Sequence, residues 1–227
     1  MSSMETDTGS KNTSANDVTA AGEGAGQAAP RKSTTGSEAS ARILDAAEQL
    51  FYREGARAVG VDAVVKQAGV NKMSLYRQFN SKDELLRQYL VRRDAKFWGY
   101  FEGSVARHPD DPAAGLVQFF ADLSVRASAL DYRGCPFVNV AVEFADPEHF
   151  ARRHVAEGKR QLLARLHELA TAAGAAEPTA LAEALALLIE GAYAASQTYG
   201  PGNTLMLALP GVARTMVEQA VGREVLR

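Results

Sequence analysis

Cysteine is nearly absent: 227 residues include a single one, Cys135. A lone thiol excludes an internal disulfide framework and leads us to expect a reducing, cytoplasmic setting. Long apolar runs are also missing. None reaches the roughly 18–20 residues of a membrane-spanning helix, and the N-terminus lacks the apolar segment of a secretory signal. No membrane partner is expected. There is no glycine-rich phosphate loop, and His108, His149, His154 and His167 lack a zinc-ligand spacing such as His-Glu-x-x-His. The sequence therefore points to no metal, no cofactor and no catalytic group. An enzyme remains the first rival reading only because Cys135 with a histidine is a conceivable nucleophile–base pair, and nothing in the chain order brings the two together. Strong charge of one sign is missing too. With 25 Lys+Arg against 27 Asp+Glu the formal net charge is −2, which excludes a wholly basic nucleic-acid coat protein.

The charge that is present is unevenly spread. Residues 40–96 hold 11 Lys/Arg and 7 Asp/Glu, a net of +4, leaving 14 and 20, a net of −6, for the rest. A basic segment on an acidic body suggests that one part meets a polyanion. Residues 1–36 have no Leu, Ile or aromatic residue. They offer too little apolar area to offset ordering entropy, so a disordered arm is predicted there, with Arg31 and Lys32 near its end. From Ser37 onward helical periodicity takes over. Ile43, Ala46, Ala47, Leu50 and Phe51 mark one amphipathic helix stopped by Gly55, and Val61, Val64, Val65 and Ala68 mark a shorter one. Ser81-Lys82-Asp83-Glu84 has capping-box spacing and predicts a long helix to about Glu102. Prolines after acidic residues, at Asp111-Pro112, Asp146-Pro147 and Glu177-Pro178, predict further helix starts. Breaks are expected at 108–110, 131–134, 174–177 and 200–203. No period-2 strand pattern is convincing, so the predicted fold is all-α with about nine helices.

Residues 59–79 read as short helix, tight turn and second short helix. Gly69 stands where the chain must reverse, Asn71 is a good N-cap, and Leu75 and Phe79 supply an inward face. Lys72, Ser74, Tyr76, Arg77 and Gln78 are left pointing elsewhere, a concentration of phosphate-binding and base-reading side chains.

The run Gly69-Val70-Asn71-Lys72-Met73-Ser74-Leu75-Tyr76-Arg77-Gln78-Phe79-Asn80-Ser81-Lys82-Asp83-Glu84-Leu85 resembles the DNA-binding signature of TetR/AcrR-type transcriptional regulators, and the helix ending Leu50-Phe51-Tyr52-Arg53-Glu54-Gly55 resembles that family's first helix. The resemblance covers residues 40–90. This chain departs from it at Gly60, Val65, Met73 and Gln78, where the family often has Ser or Thr, a small residue, Gly and His. The resemblance implies a helix-turn-helix DNA-binding domain over 37–82 and a helical ligand-binding and dimerisation domain over 83–227. It puts Lys72, Met73, Ser74, Tyr76 and Arg77 in the major groove. Tyr76 and Lys82 would meet phosphates, Arg77 or Lys72 a guanine edge, and Arg42 a further phosphate. Such a protein would bind a palindromic double-stranded operator as a homodimer, as a repressor released by a small, mostly apolar effector. The second rival is a helical interaction protein that has lost DNA binding.

A single short reading helix contacts few base pairs, so such modules work as two-fold dimers. Leu181, Leu185, Leu188 and Ala192, with Val212 and Met216, are the candidate dimer interface by resemblance. The aromatic-rich middle contributes Trp98, Phe101, Phe120 and Phe137 as candidate effector contacts, with Asn139, Glu143, His167 and Tyr193 as polar ones. Cys135 is a further candidate. It falls at an expected helix start, where the dipole would lower a thiol pKa, and Gly134-Cys135 resembles a subset of the family in which a cysteine senses electrophiles or oxidants.

Overall fold

The computed structural model describes residues 36–222; the predicted arm, with Arg31 and Lys32, lies outside them apart from Gly36. Each helix begins where local chemistry satisfies its free amides. α1 (Gly36–Glu54) includes Gly36, so it starts one residue before the predicted boundary. α2 (Val61–Ala68) is capped by Gly60, whose backbone is extended but which has no side chain to offer, and ends on Gly69 at φ +63°. α3 (Lys72–Gln78) is capped by Asn71, whose side chain accepts from the Ser74 amide at 2.7 Å. α4 (Lys82–Val105) is capped by Ser81, whose Oγ accepts from the Glu84 amide at 3.1 Å. Only half of the expected capping box forms, because the Glu84 carboxylate accepts instead from Gln88 one turn on, at 3.0 Å.

α5 (Pro112–Ala127) and α8 (Pro178–Thr198) start at prolines as the sequence predicts. Asp146-Pro147 does not start one. The Asp146 carboxylate caps a turn through the Glu148 amide, and α7 (Phe150–Ala172) begins three residues later, with His149 Nδ1 accepting from Ala151. α6 (Pro136–Glu143) and α9 (Thr204–Ala220) complete nine helices among the described residues, where no strand occurs. α8 departs from expectation in another way. By length and a mean hydropathy of 1.2 it is apolar enough to cross a membrane. Its Leu181, Leu185, Ile189 and Ala192 are nevertheless buried in the protein's own core.

α1, α2 and α3 pack on one another, and α1 packs on α4. The core runs unbroken from one region to the other, with Phe51 of α1 meeting Tyr89 of α4 edge to face at 5.5 Å. α4 also packs on α5 and α7, and α4 and α5 share an aromatic cluster. Phe101 is fully buried, 4.8 Å from Phe119 and 5.7 Å from Trp98 between ring centres.

The α1–α4 contact also carries charge. The Glu48 carboxylate, nearly buried, receives Arg93 at 2.9 Å, Arg92 at 3.1 Å and Lys96, all from α4. Burial pushes this carboxyl's pKa up, but hydrogen bonds and charges from Lys96 and Arg93 outweigh it and hold the pKa below the usual value. Glu48→Ala leaves three cations facing one another. The expected cost is about 2–3 kcal/mol, below the ~3–5 of a fully buried pair because Lys96 and Arg92 reach solvent. A depressed carboxyl stabilises the fold above its unfolded pKa and loses that contribution as pH falls through the folded value. Urea unfolding should therefore separate wild type from variant at pH 7, and the difference should shrink as the pH is taken below the usual carboxylate range.

Candidate nucleic-acid interface and internal cavity

The short α3 holds its place because Leu75 is fully buried and Phe79 nearly so. This leaves Lys72, Met73, Tyr76, Arg77 and Gln78 exposed on its outer side, with Ser74 half-buried. Tyr76 is 47% and Met73 65% exposed, large values for side chains of this size. Lys72 pairs with Asp62 of α2 at 2.9 Å, and Arg77 reaches Met73 Sδ at 3.5 Å. Both interactions are at the surface, so either cation is free to turn to another anion. α3 itself carries no acidic residue.

Arg42 and Lys82 sit differently. Arg42 Nη2 donates to the Gly69 carbonyl at 3.3 Å, bracing the turn between α2 and α3. The left-handed φ of Gly69 favours glycine there, and a Cβ would come within 2.6 Å of the guanidinium and displace Arg42 from this brace. Lys82 is half-buried, donates to the Arg57 carbonyl at 3.0 Å, and has its pKa lowered chiefly by burial. Both residues stitch the helix-turn-helix together.

In the body, a cavity of about 300 Å³ is lined by Tyr52 of α1, Arg93, Lys96 and Phe97 of α4, Arg126 of α5, and Tyr132, Cys135 and Tyr193. A smaller pocket shares Phe97, Cys135, Phe137 and Tyr193 with it and adds Trp98, Leu162 and Lys159. Of the residues predicted for an effector site, Trp98, Cys135, Phe137 and Tyr193 come together here. Phe101 and Phe120 do not, being completely buried in the aromatic core. His167 is exposed on α7 and lines neither space.

Asn139 and Glu143 border a separate groove against the α1–α2 connection. Glu143 Oε2 accepts from the Arg57 amide at 2.6 Å, its carbonyl accepts from Arg57 Nη1, and Asn139 Nδ2 donates to the Arg133 carbonyl. Together with Tyr52, whose hydroxyl accepts from the Arg133 amide at 2.7 Å and donates to the Gly134 carbonyl at 3.1 Å, they tie α6 and its leading loop to the helix-turn-helix. Sequence reasoning missed Arg93, Lys96, Arg126 and Tyr132. Their only signal was a basic or phenolic residue recurring on otherwise apolar helix faces.

Cys135 is the N-cap of α6, as the expected helix start implies, but its side chain makes no cap hydrogen bond. It is 3% exposed. Burial pushes the thiol's pKa up, against the lowering predicted from the helix dipole. Lys159, 3.9 Å from Sγ, and the Val138 and Phe137 amides oppose burial without reversing it.

The candidate dimer residues divide. Leu181, Leu185 and Ala192 point into the chain's own core, while Leu188 and Met216 are half-buried and Val212 is 45% exposed. The same two helices expose Leu187 at 73%, Leu207 at 70% and Leu205 at 48%, three apolar positions the periodicity did not single out.

Comparison with known proteins aligns with this layout. Residues 43–89 match the family described as bacterial regulatory proteins, tetR family, and residues 116–212 match the tetracyclin repressor-like C-terminal domain. A TetR-family transcriptional regulator of Streptomyces coelicolor superposes with a TM-score of 0.74 at 27% identity, over 82% of this chain and 97% of that one. A TetR transcriptional regulator of Streptomyces avermitilis is 32% identical, with a TM-score of 0.68, over 82% of this chain and 99% of its own. CifR, solved with 26-bp double-strand operator DNA, shares the fold at a TM-score of 0.68 and 17% identity, over 83% of this chain and 98% of its own. An HTH-type transcriptional regulator of Mycobacterium tuberculosis is 41% identical over 51 residues, which are 22% of this chain. That match spans a quarter of the curated relative's length.

Proposed function

The chain belongs to the TetR family of bacterial transcriptional regulators, whose fold and family are not those of enzymes, and from that premise we propose that it binds a palindromic duplex as a homodimer and is released from it by a small molecule held in the body. The observation that carries this reading is the outer face of α3. Lys72, Met73, Tyr76 and Arg77 stand out from a helix whose Leu75 anchors it rigidly, so they are fixed at the surface as groove-reading side chains must be. Residues 37–82 act as the DNA-reading unit and 83–227 as the effector and dimer unit. Ser74 sits at the groove edge of α3, and Arg42 and Lys82 serve that unit as braces whose charge also lies near the backbone of a docked duplex.

Pairing through α8 and α9 is supported by Leu187, Leu188, Leu205, Val212 and Met216, an apolar surface that a partner copy would cover. Repression follows if the duplex overlaps a promoter. Release follows if an effector between α4, α5 and α6 moves α1, because Glu48, Tyr52 and Arg57 are all fastened to the walls of that region.

Selection of bound duplexes from a random pool, with the best one titrated at two salt concentrations, tests the reading. The expected result is a palindromic consensus whose affinity falls steeply with salt, as phosphate contacts require. A folded dimer that enriches no sequence would overturn it.

A further inference from the structure

We propose that the cavity between α1, α4 and α5 takes an anionic effector, a flat apolar body bearing one carboxylate-type group, with Arg126 as the anchor for its charge. The proposal deepens the effector-binding reading above and rests on it.

Arg126 carries the argument. It lies half-buried on α5 and lines the cavity, yet no carboxylate pairs with it and its guanidinium donates no hydrogen bond among the described residues. Its neighbours are rings instead, with the guanidinium 5.0 Å from the centre of Tyr100 and 5.9 Å from that of Phe119. A guanidinium held among aromatic faces with its donors unspent is arranged for a planar anion, which it meets bidentately. Every other arginine that contributes to the cavity or its supports is already committed to oxygen acceptors: Arg93 to Glu48, Arg57 and Arg133 to backbone carbonyls.

Three further observations agree. Arg93, which also lines the cavity, has its Nε sealed from solvent without a hydrogen-bond partner. The Tyr132 and Tyr193 side chains line the same space, and neither hydroxyl finds a partner among the described residues. The lining counts three cations, Arg93, Lys96 and Arg126, against one carboxylate, the exposed Asp131. Even with Glu48 behind Arg93 and Lys96 the balance is positive. Phe97, Leu123 and Phe137 give the cavity an apolar wall for the uncharged part of such a molecule, and Trp98 lies just beyond it on an adjoining pocket of about 20 Å³, which has room for little more than a water. At about 300 Å³ the cavity sits at the small end of ligand sites, the size for one or two fused rings.

The charge also links the cavity to the reading head. Arg93 and Lys96 are the α4 cations that hold Glu48 of α1. An anion entering beside them competes with Glu48 for the same donors and loosens the α1–α4 contact. A neutral ligand of the same shape has no such differential effect.

The test uses the purified full chain and three matched pairs: benzoate with benzamide, 2-naphthoate with 2-naphthamide, and indole-3-acetate with indole-3-acetamide. Quenching of Trp98, the chain's single tryptophan, reports binding. At least one carboxylate is expected to bind tenfold or more tightly than its amide. Arg126→Met should erase that preference to within about twofold, and Arg126→Lys should restore part of it. Equal binding of acid and amide, no saturable binding by any of the three acids, or a preference that survives in Arg126→Met would each overturn the proposal. Duplex binding is measured on the same preparations. A chain that binds its selected duplex but shows no acid preference loses the effector class alone, and one that binds acids but no duplex loses the regulator reading alone.

Discussion

A chain carrying Tyr76→Ala and Arg77→Ala together should bind its selected duplex about 100-fold more weakly than the wild type. Losing an arginine contact to a base costs roughly 1–3 kcal/mol, and a phosphate contact adds about 1 kcal/mol by the same reasoning that assigns charged hydrogen bonds ~1.5–3. Each 1.4 kcal/mol is about a factor of ten, so the sum spans roughly 30- to 1000-fold. Folding should be untouched, because both side chains are exposed on α3 while Leu75 and Phe79 hold it in place. Surface changes of this kind stay within about 0.5 kcal/mol of stability. Losing the Arg77 cation should also reduce the salt slope, by at most about one, whereas the neutral Tyr76 hydroxyl releases no counterion. Gel-shift or fluorescence-anisotropy titrations at two salt concentrations, with a thermal melt of the same samples, read all three quantities. Wild-type affinity in a folded double variant would mean that another surface reads the duplex.

Phe101→Ala should be the most destabilising single change in the body, by about 3–5 kcal/mol. Phe101 is fully buried and its ring contacts three others: Phe97 at 6.0 Å, Phe119 at 4.8 Å and Trp98 at 5.7 Å. The neighbours belong to two helices, α4 and α5, whose backbones cannot both close on the space, so most of the cavity persists. For a chain of this size the melting temperature should fall by roughly 6–20 °C. Tyr100→Ala, one residue away but 55% exposed, is the matched control and should move it far less. Circular dichroism at 222 nm during heating distinguishes the two outcomes. A Phe101→Ala melt close to wild type would mean the aromatic cluster repacks without a void.

The reading head was legible in the chain because its determinants are local. Asn71 caps α3 through an amide three residues on, Ser81 caps α4 in the same way, and the left-handed Gly69 needs only its own backbone. The helix count and most breaks followed from the same short-range rules. Asp146-Pro147 failed because the acidic-residue–proline signature also fits an isolated turn, and His149 supplied the cap further along.

The effector and dimer residues were less legible because they depend on which apolar face meets which neighbour. Leu181 and Leu185 repeat at the same helical spacing as Leu188 and differ only in lying against α7 and α9 of their own chain. Asn139 and Glu143 have the chemistry of ligand-orienting groups, but Asn139 is spent on the Arg133 carbonyl six residues before it, and long-range packing set Glu143 against Arg57, more than 80 residues away. Arg126 shows the same limit in reverse. In the sequence it is one basic residue in the last turn of a helix, and an unpaired cation is defined only by the carboxylates that fail to approach it.

The sequence by itself determined the helices, the reading head and the family, because caps, turns and apolar period act over a few residues. Only the tertiary structure decided which cations are spent on Glu48, which thiol is buried and which leucines remain uncovered. Burial and charge pairing are properties of neighbours brought together from distant parts of the chain, and no local pattern encodes them.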